Sequence, residues 1–73
     1  MKTDKKDRID PTLALNLKET REKKGLTQAE VSKEAKITET YYAMMERGEA
    51  NPSLAKLNRV LKALDLKILV KKV

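Results

Sequence analysis

The sequence predicts an all-α fold of four to five short helices followed by a short C-terminal strand. Three observations carry that expectation. The polar residues Asp10, Thr27, Thr38 and Ser53 each stand immediately before a run with helical spacing, where an N-cap belongs. Gly25 and Gly48 stand where such runs should stop. A chain of 73 residues, 40% hydrophobic and 38% charged, can bury one small core and no more.

The elements follow in order. Residues 1–9 are crowded with charge and read as a disordered basic arm. Asp10 and Pro11 form an N-cap and a proline at the first helical position. Helix 1 then runs to about Lys24, with Leu13, Leu17 and Thr20 on one face and Gly25 as its stop. Helix 2 opens on the capping box Thr27-x-x-Glu30, with Leu26 and Val31 placed as a hydrophobic staple, and ends near Ala35. Helix 3 opens on Thr38, pairs Ile37 with Tyr42 in the same way, and stops at Gly48. Two short helices joined by the three residues Lys36 to Thr38 form a helix-turn-helix unit.

Asn51-Pro52 breaks the chain and Ser53 caps helix 4. Leu54, Leu57, Leu61 and Leu64, with Val60, form its apolar stripe, while Lys56, Arg59 and Lys62 fall on the other side. Residues 50–64 contain no acid. From Leu66 to Val73 the spacing changes to alternation, which predicts a strand. With no second strand to meet, it would pair across a dimer. The expected organisation is therefore an arm over 1–9, a helical domain over 10–65 and a dimerisation strand over 66–73.

Composition narrows the function. The net charge of +6 points to an anionic partner, nucleic acid before membrane. There is no cysteine and no histidine, hence no disulfide and no His/Cys metal site. No apolar run approaches the ~18 residues of a membrane span, and the start MKTDKKDRIDP has no apolar core of a signal peptide. A cytoplasmic protein without a cofactor is expected. With no Gly-rich phosphate loop and no paired carboxylates, so is the absence of catalysis.

The adjacent pairs Tyr41-Tyr42 and Met44-Met45 bear most directly on function. Neighbouring helical residues point about 100° apart, so each pair must divide between two faces. Tyr42 and Met45 are expected to face the core. Tyr41 and Met44 then face outward beside Glu39 and Thr40. Glu46 is expected to pair internally with a basic residue.

The stretch GLTQAEVSKEAKITETYYAMMERGEANPSL resembles the helix-turn-helix of the Xre, Cro and lambda-repressor family. The resemblance rests on Gly25, Leu26, Thr27, Gln28, Glu46, Arg47, Gly48, Asn51, Pro52 and Ser53. It implies a lambda-repressor-like domain that acts as a homodimeric transcriptional repressor on a double-stranded DNA operator. The second helix of such a unit, here about 39–46, enters the major groove. Glu39, Thr40, Tyr41 and Met44 would then contact bases, and Gln28, Thr27, Thr38 and Arg47 would contact phosphates. Gln28 would also brace the recognition helix. The family often has glycine where this chain has Lys36, so a left-handed lysine is expected there, at a cost of about 1 kcal/mol. The ending LDLKILVKK resembles antitoxins of the HigA and HipB kind, which implies an alternative: binding and neutralising a partner toxin protein while autoregulating an operon.

Overall fold

The computed structural model describes residues 8–66, and these form four helices: α1 (Pro11–Lys23), α2 (Gln28–Ala35), α3 (Glu39–Glu46) and α4 (Leu54–Ala63). All four starts are capped as the sequence predicts. The side chains of Asp10, Thr27, Thr38 and Ser53 accept from the backbone N–H of Leu13, Glu30, Tyr41 and Lys56, at 3.0, 3.0, 3.0 and 3.1 Å. At α2 the Glu30 carboxylate also accepts from the Thr27 N–H at 2.8 Å, completing the capping box.

The four ends share one device. After each helix one residue turns left-handed, and two backbone bonds reach back into the last turn as a Schellman motif. After α1, Gly25 N–H donates to Glu22 O at 3.0 Å and Leu26 N–H to Arg21 O at 3.1 Å. The same pair of bonds closes α2 through Lys36 and Ile37, α3 through Gly48 and Glu49, and α4 through Asp65 and Leu66. Lys36 has φ 60° and Asp65 φ 57°, so two of the stops carry a side chain where glycine is cheapest. The left-handed lysine is as expected; the Asp65 stop is not evident from the sequence.

Every helix contributes to the core. Ala14 and Leu17 come from α1, Val31 and Ala35 from α2, Tyr42 and Met45 from α3, and Val60 and Leu61 from α4, with Leu64 just beyond. Leu26 and Ile37, before their caps, pack against it. Three expectations need correction. Thr20 is only half-buried; Leu17 is buried as expected, and Ala14 rather than Thr20 joins it in the core. Leu54, expected on the apolar stripe and standing at the first position of α4, is 70% exposed. Ile9 is no part of a free arm: its side chain is buried, and its N–H donates to Ala50 O at 2.8 Å, tying the start of the chain to the loop after α3. The strand expected over 66–73 lies outside the described residues from 67 onward; Leu66 itself belongs to the closure of α4.

Candidate nucleic-acid interface

Helix α3 occupies the eight residues expected of it, and its two faces differ sharply. Tyr42 and Met45 are fully buried. Glu39 and Thr40 are exposed, and Tyr41 and Met44 are half-buried at the edge of the core. The adjacent pairs therefore divide as the helical period requires, although Tyr41 and Met44 lean on the core more than an outward position implies. Exposed Arg47 follows the helix and forms an ion pair with exposed Glu49 at 3.0 Å. Such a surface pair constrains little.

The buried side of α3 ends in a charged anchor. The Glu46 carboxylate accepts from Arg21 Nε at 2.6 Å and from Arg21 Nη2 at 3.1 Å, and from Gln28 Nε2 at 3.0 Å. Side-chain exposure is 12% for Arg21 and 3% for Glu46, so this two-pronged pair lies almost wholly out of water. Arg21 Nη1 also donates to Leu26 O at 2.9 Å, holding the turn that leads into α2. One cluster thus joins α1, α2 and the C-terminal end of α3. Burial alone would raise the Glu46 pKa. The hydrogen bonds from Arg21 and Gln28, with the Tyr42 hydroxyl close by, outweigh it and hold the carboxyl below its ordinary 4.5. The Tyr42 hydroxyl is buried with no partner in hydrogen-bond geometry, and burial above all holds its pKa well above the usual phenol value.

The internal partner expected for Glu46 is therefore Arg21, which sequence reasoning did not single out. A signal existed: 14, 17 and 21 fall at helical spacing, so Arg21 continues the buried side of α1. Gln28 braces α3 through its bond to Glu46, as the resemblance implies. Helix α4 supplies a second support. Arg59 Nε donates to Ala35 O at 2.9 Å, at the end of α2 where backbone carbonyls lack helical partners. Lys56 places its Nζ 4.8 Å from the centroid of the Tyr41 ring, within cation–π range. Lys56 and Arg59 thus reach the helix-turn-helix unit, through the Tyr41 ring and the Ala35 carbonyl.

Of the four residues expected to meet bases, Glu39 and Thr40 are exposed on α3, and Tyr41 and Met44 flank them at the margin of the core. Thr27 and Thr38 are both engaged as caps through their oxygens, which leaves each hydroxyl proton free to donate. Among the described residues no helix is long and apolar enough to cross a membrane.

Comparison with known proteins gives a consistent picture. Residues 17–70 match the family model described as helix-turn-helix. Over 38 residues the chain is 50% identical to an uncharacterized HTH-type transcriptional regulator, YqaF of Bacillus subtilis (strain 168). That match spans 52% of this chain and half of the relative's length. Among solved structures, the restriction-modification controller protein C.AhdI from Aeromonas hydrophila superposes with a TM-score of 0.74 at 30% identity, over 78% of this chain and 86% of its own. A structure of a HipA-HipB-O2-O3 complex contains a chain that superposes with a TM-score of 0.75 over 99% of this chain and 94% of its own. At 22% identity that likeness concerns the fold alone.

Proposed function

The chain belongs to the Xre-type helix-turn-helix family of DNA-binding transcription regulators, and from that premise we propose that it is a repressor that binds a specific double-stranded DNA operator as a homodimer. Helix α3 enters the major groove. Glu39 accepts from a cytosine amino group, Thr40 bonds a neighbouring base edge, and Tyr41 and Met44 touch thymine methyls and sugar. Gln28, Thr27, Thr38 and Arg47 meet phosphates on either side. The observation that carries this reading is the division of α3: Tyr42, Met45 and Glu46 lock one side into the subunit, and the side bearing Glu39 and Thr40 is left open.

Selection of bound duplexes from random sequence tests it. The expected result is a two-fold symmetric site with half-sites about 34 Å apart, one turn of the duplex. Failure to enrich any sequence would contradict it. The alternative role is that of an antitoxin that neutralises a toxin protein. The resemblance of the ending LDLKILVKK to antitoxins motivates that reading, and a stoichiometric co-purifying protein from the native host would support it.

A further inference from the structure

We propose that Lys36 and Lys56 together seat one backbone phosphodiester beside the start of α3, with the Tyr41 ring as the floor of the seat. The inference deepens the DNA-binding reading and rests on it. A surface cleft of about 400 Å³ is lined by Lys36, Ile37, Thr38, Tyr41 and Lys56. Two cations therefore converge on one hollow, and neither forms an ion pair among the described residues. Glu39 is the acid nearest in sequence, and it does not line the cleft.

Lys56 lies over the face of Tyr41 at 4.8 Å. A ring holds an ammonium in place without neutralising it, so the charge stays available to an anion. One turn further along α4, Arg59 is bonded to Ala35 O, which fixes the Lys56 wall relative to the end of α2. Opposite stands Lys36, held left-handed at φ 60°. The equivalent stops after α1 and α3 are glycines, so the fold has a relaxed solution for this turn that it does not use here. Of the two left-handed stops that carry a side chain, Lys36 and Asp65, the lysine is the one that lines the cleft.

The test uses the full chain and the duplex found by selection, with Kd measured against salt for the wild type, K36Q, K56Q and the double variant. Each single change is expected to lower the magnitude of the log–log slope by about 0.9, and the double change by about twice that. Base preference at the positions read by Glu39 and Thr40 should not alter. A methylphosphonate scan of the duplex should find one position whose neutralisation weakens the wild type but not the double variant. The variant K36G separates charge from folding: it should melt higher than the wild type and still lose slope. Unchanged slopes in both single variants overturn the seat while leaving the DNA-binding reading intact. Inorganic phosphate that shifts the Tyr41 and Lys56 resonances, together with unchanged duplex slopes, would assign the cleft to a free anion and overturn the phosphodiester. A wild type that binds no duplex would remove both readings.

Discussion

The two ends of α3 solve opposite problems. At its C-terminal end Glu46 is almost wholly buried and bonded to Arg21 and Gln28, so three helices are fixed to one carboxylate. At its N-terminal end Glu39, of the same residue type, is exposed next to the Thr38 cap. The difference teaches that an exposed helix face needs an anchor elsewhere. Side chains left open to water can be placed accurately only if the rod that carries them is held by something costly to break. An Arg–carboxylate pair out of water is such a device, since removing one partner leaves the other charged and buried.

Breaking the anchored end should have the largest effect. Glu46→Ala is expected to cost about 3 kcal/mol or more, a large fraction of the stability of so small a domain. Urea unfolding followed by circular dichroism measures it. Replacing both partners by apolar residues, R21M/E46L, should recover most of that loss, because no uncompensated charge remains. If the double variant were as unstable as the single one, the pair would be acting by more than its charge.

Acid should reproduce the same break reversibly. The folded pKa of Glu46 lies below its ordinary 4.5. Its contribution is therefore complete above that ordinary value and is lost as pH falls through the lowered folded value. Stability measured from pH 6 downward should decline in the wild type through that window. In R21M/E46L this component of the decline should be missing.

The open end should respond more mildly. Thr38→Ala removes the cap of α3 and is expected to cost about 1 kcal/mol. Lys36→Gly should stabilise by about 1 kcal/mol, since glycine takes the left-handed turn without strain. An unchanged or lower melting temperature would mean that the lysine side chain contributes packing that offsets its backbone. Smallest of all should be Tyr42→Phe. Its hydroxyl is buried without a partner in hydrogen-bond geometry, so its removal should be neutral or stabilise by up to about 1 kcal/mol. A clear loss of stability would instead reveal a working bond to Glu46.

The sequence was most readable where interactions are local. Each cap bonds a backbone group three residues on, and each stop bonds within its own last turn, so Asp10, Thr27, Thr38, Ser53, Gly25 and Gly48 could be placed without a fold. The bounds of α3 and the division of its tyrosines and methionines follow from those signals and the helical period. The partner of Glu46 was only half readable: helical spacing puts Arg21 on the buried side of α1, but its pairing spans 25 residues. The bond from Arg59 to Ala35, across 24 residues, was not readable. Both are charged residues that composition assigns to water. Leu54 fails in the opposite sense: its spacing is apolar and correct, and only the packing reveals that nothing covers it. Asp65 was missed because aspartate signals a cap or turn in general and not a left-handed stop in particular.

The central claim concerns the open side of α3, and base-resolved specificity tests it most directly. Duplexes carrying every single substitution of the selected half-site would be measured against the wild type, Glu39→Ala and Thr40→Ala. Each variant is expected to lose about 1–3 kcal/mol of discrimination at one base pair and to keep the rest. Substitution profiles that are the same in all three proteins would contradict the account, because the bases would then be read by some other surface.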